Sequence, residues 1–204
     1  MDYGFKDLKD PNAYNPERSK QLLAEDGWKD TDGDGILDKD GKPLTFDFVV
    51  YNSRAELPLY AEAVQADLKK VGIDMKIKTV DYNLIDKMGQ DGDYDMLISN
   101  IVTANTGDPI WFLANYWHTN VDGSNPQNGS GYSNPQVDQL LDAAETEFDP
   151  AKRRDYAIQI QQLLMNDGAA LFLGYPKTNI VTGSYLKGAV MYLSLIHISE
   201  PTRH

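Results

Sequence analysis

The sequence predicts an α/β fold built on a mainly parallel sheet flanked by helices, and three features carry that expectation. Leu44 to Val50 and Met75 to Val80 alternate apolar and polar residues as half-buried strands do. Between them Leu57, Tyr60, Ala61, Val64, Leu68 and Val71 recur at helical spacing until Gly72, which stands where a C-cap glycine stands. A third apolar run, Tyr94-Asp95-Met96-Leu97-Ile98, follows a short helical piece near Leu84 to Met88. Strand, helix, strand, helix, strand is a βαβ series, which implies parallel pairing through right-handed crossovers.

That topology says where to look for a site. The third strand opens into the polar loop Thr103-Ala104-Asn105-Thr106-Gly107-Asp108-Pro109 before the apolar run resumes as Ile110-Trp111-Phe112-Leu113. The first strand ends in Tyr51-Asn52-Ser53-Arg54. In a parallel sheet both loops lie on one edge, where strand ends and the N–H groups of helix starts converge on ligands. Candidate ligand-binding residues are therefore Tyr51, Asn52, Arg54, Thr103, Asn105 and Asp108, with Trp117 and His118 just beyond.

The remainder reads as helices, then strands. Asn134-Pro135 and Asp149-Pro150 each place an N-cap residue before a proline at the first helical position. Val137, Leu140, Leu141, Ala144 and Phe148 form one apolar stripe, and Tyr156, Ile160, Leu163 and Leu164 another, ending before Gly168. Gly123 to Gly131 is a loop by composition. Ala170 to Leu173 and Asn179 to Val181 read as short strands flanking Tyr175-Pro176. The end, Leu193-Ser194-Leu195-Ile196-His197-Ile198-Ser199-Glu200-Pro201-Thr202-Arg203, resembles an in-frame translation of a transposase-type sequencing adapter, with a real strand from Met191 to Ile198 as the alternative. On the adapter reading, His118 is the one native histidine of the three.

Composition bounds the function. A chain of 204 residues, 41% hydrophobic and 25% charged, is ordinary for one globular domain. A net charge of −12 disfavours nucleic acid and anionic membrane surfaces, which attract basic patches. The absence of cysteine removes disulfide and thiolate chemistry and is compatible with an exported bacterial protein. No apolar stretch near Met1 reads as a signal peptide and no run is long enough to span a bilayer, so direct membrane insertion is not expected. Catalysis has little support: there is no GxxxxGK[ST], no His-Glu-x-x-His and no nucleophile elbow, and no motif requires a cofactor.

The tidiest isolated motif is Asp30-Thr31-Asp32-Gly33-Asp34-Gly35-Ile36-Leu37-Asp38. Carboxylates at Asp30, Asp32, Asp34 and Asp38, with the carbonyl of Ile36, match the first two-thirds of a calcium loop, but Gly41 stands where its bidentate Glu belongs. Two readings stay open, a calcium site and an acidic surface turn. The first would make the chain a calcium-stabilised interaction module, the alternative to a solute receptor.

The ordered segments Asn15-Pro16-Glu17-Arg18-Ser19-Lys20-Gln21-Leu22-Leu23-Ala24-Glu25-Asp26-Gly27-Trp28, Asp32-Gly33-Asp34-Gly35, Asp40-Gly41-Lys42-Pro43-Leu44 and Gly131-Tyr132-Ser133-Asn134-Pro135-Gln136-Val137-Asp138 closely resemble solute-binding protein family 5, the extracytoplasmic receptors of peptide and nickel ABC transporters. The resemblance runs from about Asn15 to Lys187. It implies a type II periplasmic-binding-protein-like fold of which residues 1–192 are an incomplete C-terminal lobe, residues 193–204 being the non-native tail. It also implies a small solute, peptide or nickel chelate, closure of two lobes on it, and docking on an ABC permease outside the cytoplasm. In the peptide-binding branch the residue three before the Asp of Gly-Asp-Pro is usually acidic and pairs with the peptide's α-ammonium. Here it is Asn105, which with Tyr51 to Arg54 and Thr103-Ala104 looks more like the nickel and metallophore branch. Arg54 would fork onto a solute carboxylate, or pair on the surface with Glu56. His118 would contact a chelated metal, or serve as a polar loop residue.

Overall fold

The structure, a computed structural model, describes residues 6–101, 107–174, 181–183, 189–192 and 195–198. In chain order the elements are α1 (Pro16–Glu25), β1 (Asp38–Lys39), β2 (Lys42–Pro43), β3 (Thr45–Tyr51), α2 (Glu56–Lys69), β4 (Asp74–Val80), a 3-10 turn (Tyr82–Leu84), α3 (Ile85–Asp91), β5 (Met96–Leu97), α4 (Pro109–Trp117), α5 (Pro135–Thr146), α6 (Pro150–Asn166), β6 (Ala189–Tyr192) and β7 (Leu195–Ile198).

The expected parallel sheet is present, ordered β4-β3-β5. β3 pairs with β4 from Thr45↔Asp74 to Tyr51↔Val80, and with β5 at Phe48↔Met96 and Val49↔Leu97. Alternation describes only the first half of β3. Phe48, Val49, Val50 and Tyr51 are buried in succession, as befits a central parallel strand covered on both faces. Leu57 and Ala61 of α2 and Ile85 of α3 close the core around it, with Met75 and Ile98 from the neighbouring strand and strand end.

A second core lies among three helices. Ile110, Leu113 and Trp117 of α4 meet Val137, Leu141 and Ala144 of α5 and Ala157, Ile160 and Leu164 of α6. The spacings of three and four residues within each set put the side chains on one helix face. The helix starts have a common chemistry. Asn15, Asp108, Asn134 and Asp149 each cap a helix that opens with proline, accepting from the N–H of Arg18, Ile110, Gln136, and both Ala151 and Lys152. The N-terminal segment runs along α6: Lys9 exchanges hydrogen bonds with the Gln162 amide at 2.9 and 2.8 Å, and Asn12 donates to the Met165 carbonyl at 2.9 Å.

The two cores join where the loop before α5 crosses α3. The Tyr94 hydroxyl donates to the Gly129 carbonyl, and Gly89 and Gly129 approach backbone to backbone, so a Cβ on Gly129 would sit 3.1 Å from the Gly89 Cα. Asn128 is buried beside this contact and is fully used. Its amide donates to the carbonyls of His118 (2.9 Å) and Tyr132 (2.8 Å), and its oxygen accepts from Ser130 (2.8 Å).

Three expectations are corrected. Phe148 does not continue the α5 stripe: the helix ends at Thr146, and the ring lies 92% exposed in the turn before α6. Ala170 to Leu173 form no strand, although Leu173 packs on the sheet core. The same holds at Val181, which is exposed and unpaired by any strand, while Asn179 and Ile180 lie outside the described residues. At the other end, β7 pairs antiparallel with β6 (Ala189↔Ile198 to Tyr192↔Leu195), so the described residues there form two short strands in place of one from Met191 to Ile198. Among the described residues no helix is long and apolar enough to cross a membrane.

Because the Gly89–Gly129 contact is between backbones, neither side can yield by changing rotamer. Gly129→Ala is expected to destabilise the fold by about 1–3 kcal/mol, measured by urea denaturation, and an unchanged midpoint would show the two cores to be loosely joined.

Candidate functional site

The sheet order puts the first strand of the βαβ series between the other two, so the chain reverses its direction of winding between β3 and β5. The crevice outside the C-terminal strand ends at such a reversal is where open α/β sheets hold ligands. Among the described residues, what surrounds it is residues 52–55 after β3, residues 81–82 after β4, and residues 98–101 and 107–108 after β5.

Tyr51 belongs to the support of this edge. Its ring is fully buried, its hydroxyl accepts the Asn100 N–H at 3.1 Å, and the Tyr82 ring packs edge-on against it at 5.1 Å. Burial pushes the phenol pKa up. Tyr51 thus ties the end of β3 to the loop leaving β5. Asn52 and Arg54 are exposed at the strand end, and Arg54 forms no ion pair with Glu56. Thr103 and Asn105 lie outside the described residues.

Asp108 is engaged within the fold. One oxygen caps α4 at the Ile110 N–H (3.0 Å), and the other meets the guanidinium of Arg153. Arg153, on the first turn of α6, also donates to the carbonyls of Ala144 and Glu147 at the end of α5, the latter at 2.9 Å. One side chain therefore holds the start of α4 and the end of α5 against α6. The sequence reading placed Asp108 among the solute contacts and did not single out Arg153.

Trp117 and His118 stand at the far end of α4, nine and ten residues on from Asp108. Trp117 is buried in the helical core with Tyr132 edge-on at 5.8 Å, and its indole N–H finds no acceptor among the described residues. His118 caps the helix end. Its Nδ1 lies 3.3 Å from the Thr119 carbonyl and 3.7 Å from Asp138, and its Nε2 lies 3.2 Å from Asp142. Both ring nitrogens face acceptors, which suits the imidazolium. Burial alone lowers its pKa, but the Thr119 carbonyl and the carboxylates of Asp142 and Asp138 outweigh it, so His118 titrates above the ordinary histidine value. These two residues sit in the helical core and its brace, at the opposite end of α4 from the strand-end loops.

Tyr82 is the residue that sequence reading missed. It follows β4 at the third strand end, is 56% exposed, and rests against the buried Tyr51. The signal was present: an aromatic two residues beyond the last alternating position of a parallel strand lies on the same edge as the ends of its neighbours.

The acidic turn is ordered by its own backbone. Oxygens of Asp30, Asp32 and Asp38 lie within 4.8 Å of one another. Asp30 accepts the N–H of Gly33 (2.7 Å) and Gly35 (3.1 Å), Asp32 that of Asp34 (3.2 Å), and Asp38 that of Thr31 (3.2 Å). Asp34 is outside this group and accepts the Ile36 N–H at 2.7 Å. Gly41 falls where it does because Asp40 and Gly41, both at positive φ, form the two-residue turn joining β1 and β2.

Comparison with known proteins agrees with this geometry. The sequence model for bacterial extracellular solute-binding proteins, family 5 Middle, matches residues 1–124. The oligopeptide-binding protein AppA of Bacillus subtilis is 32% identical over 191 residues, which is 90% of this chain and 33% of that protein. The nickel-binding protein NikA of Staphylococcus aureus is 26% identical over 182 residues, 88% of this chain and 34% of that protein. Among solved structures, AppA of Bacillus subtilis in complex with a nonapeptide superposes with a TM-score of 0.69 at 30% identity, over 80% of this chain and 32% of that one. NikA from Brucella suis in complex with Fe(III)-EDTA gives 0.68 at 27% identity, over 82% and 33%. The chain belongs to the family 5 solute-binding proteins and has their type II periplasmic-binding-protein-like fold, in part. It spans about a third of the length of the curated relatives it matches. A calcium-stabilised interaction module finds no support among these relatives.

The His118 brace makes a testable prediction. A folded-state pKa above the unfolded value, about 6.5, means that protonated His118 stabilises the fold. That contribution is complete below about pH 6 and is lost as pH rises through the folded-state value. Asp142→Asn is expected to move the His118 titration downward, read by NMR, and to flatten the fall in denaturation midpoint between about pH 6 and 8. A titration indifferent to Asp142→Asn contradicts the brace.

Proposed function

We propose that the chain is part of the C-terminal lobe of an extracytoplasmic solute receptor serving an ABC importer. The observation that carries this reading is the convergence of three parallel strand ends, with the exposed Asn52, Arg54 and Tyr82, in a chain of this family. Its solute is a peptide or a nickel chelate, bound without chemical change, and closure of a second lobe over this edge signals the loaded state to the permease. Arg54 supplies paired donors to a solute carboxylate, Tyr82 an aromatic wall, and Asn105 a neutral amide where a free α-ammonium would call for an acid. The turn from Asp30 to Asp38 serves as a surface turn leading into β1. Residues 193–204 are an adapter-derived tail, and truncation after Tyr192 is expected to leave the melting temperature within about 1 °C; a larger drop would assign the tail to the native fold.

The direct test is the melting temperature of the complete receptor against a panel of peptides and nickel chelates, since a ligand of the folded state raises it. If none does, the reading fails. In the same receptor Arg54→Ala is expected to weaken a carboxylate-bearing solute by about 1.5–3 kcal/mol. Asn105→Asp is expected to favour solutes with a free α-ammonium over anionic chelates. If both variants bind like the parent, the strand-end loops are not the site.

A further inference from the structure

Asn128 is the one asparagine of the sequence that a glycine follows. In such a pair the glycine nitrogen is the least hindered nucleophile a backbone offers, because no Cβ shields it, and asparagine is among the thermolabile side chains. The fold places this pair at the contact between the two cores. Asn128 is 4% exposed. Its amide nitrogen gives both hydrogens to carbonyls, of His118 at 2.9 Å and Tyr132 at 2.8 Å, and its oxygen accepts from Ser130 at 2.8 Å. The Gly129 N–H is engaged as well, by the Gln127 carbonyl at 2.9 Å. From the sheet core, the Tyr94 hydroxyl holds the Gly129 carbonyl and Gly89 lies against the Gly129 backbone.

We propose that Asn128 is a site of covalent modification: the closed junction between the cores protects it from deamidation, and once the junction opens it converts irreversibly and keeps the junction from closing again. In the reaction the Gly129 nitrogen attacks Cγ of Asn128. A bond forms between them, the Cγ–Nδ2 bond breaks, and ammonia leaves with the proton that Gly129 gives up. Water then opens the cyclic imide at one of its two carbonyls, leaving aspartate or isoaspartate. In the closed fold the attack is barred, since the side chain would have to turn away from three partners in a buried place and the Gly129 nitrogen would have to leave Gln127. The reaction therefore runs through the open form, whose population sets its rate. Neither product reseats. An ionised aspartate has acceptors only, so it faces the carbonyls of His118 and Tyr132 with nothing to donate, and isoaspartate lengthens the main chain by a methylene where Gly129 abuts Gly89. This chemistry is independent of what the chain binds.

The test keeps the 204-residue chain at mildly alkaline pH, folded in one sample and unfolded in urea in another, and maps amide-to-acid conversion by proteolysis and mass spectrometry. In urea Asn128 should convert ahead of every other asparagine, and in the folded chain its conversion should be slower by about tenfold or more. Tyr94→Phe removes the hydroxyl from the Gly129 carbonyl and leaves the Asn-Gly pair intact. It should speed conversion of the folded chain by about threefold and leave the rate in urea unchanged. Asn128→Asp, which supplies one product directly, should lower the urea midpoint. Equal rates in the folded and unfolded chain would overturn the protection, and a different asparagine leading in urea would overturn the site. A folded-state rate indifferent to Tyr94→Phe would overturn the control by the junction, and an unchanged midpoint in Asn128→Asp would show that this product reseats, which equally contradicts the proposal.

Discussion

Most of what this chain can do follows from the burial of one strand. β3 is flanked by parallel neighbours on both sides and covered on both faces, so from Phe48 to Tyr51 no side chain reaches solvent. A strand in that position has one register available to it, since a slip of one residue would exchange the faces of every side chain. Its fixed register sets the height at which β4 and β5 end, and the three ends then share an edge. Tyr51 completes the constraint by receiving the Asn100 N–H, which holds the loop after β5 against the end of β3.

The helical core is linked to that edge through electrostatics. Arg153 bonds Asp108, which caps α4, and the last carbonyls of α5, so the three helices cannot move independently of the loop that precedes α4. The pair is only partly exposed on the Arg153 side, where hydrogen bonds to charged groups weigh more than a surface ion pair does. At the other end of α4, His118, Asp138 and Thr119 secure the helix to α5: the Thr119 hydroxyl donates to Asp138 at 2.6 Å and its N–H at 2.9 Å. Asp108 and His118, both candidate ligand contacts, also hold the two ends of one helix, and α4 is a strut between the strand-end edge and the helical core.

Periodicity made the scaffold legible. β3, α2, β4, α5 and α6 lie where the apolar spacing places them, because in each a core face repeats over two or more turns or several strand residues. Where the spacing misled, the cause is local. Phe148 matches the α5 stripe by position, but Glu147 bends the chain by accepting the N–H groups of Phe148 and Asp149, both at 2.9 Å, and the ring turns outward. Residues 170–173 have strand composition without a strand neighbour to pair with among the described residues. The site was legible only as an edge. Which side chains on it face solvent depends on burial, which separates Tyr51 from Asn52 and Arg54, and on the third strand end, where Tyr82 was overlooked. Arg153 left no signal, since Asp108 is 45 residues away in sequence and its other partners are backbone carbonyls.

On the proposed reading this chain is half of a site, positioning solute-contacting groups without enclosing a solute. Titration calorimetry of the 204-residue chain beside the complete receptor tests that most directly, using a peptide or nickel chelate that stabilises the receptor. Heat of binding is expected from the complete receptor and none from the chain alone at concentrations of about 100 μM, because the surface buried on one edge does not offset the cost of immobilising the solute. Micromolar binding by the chain alone would contradict it, and would mean that the strand-end edge is a whole site.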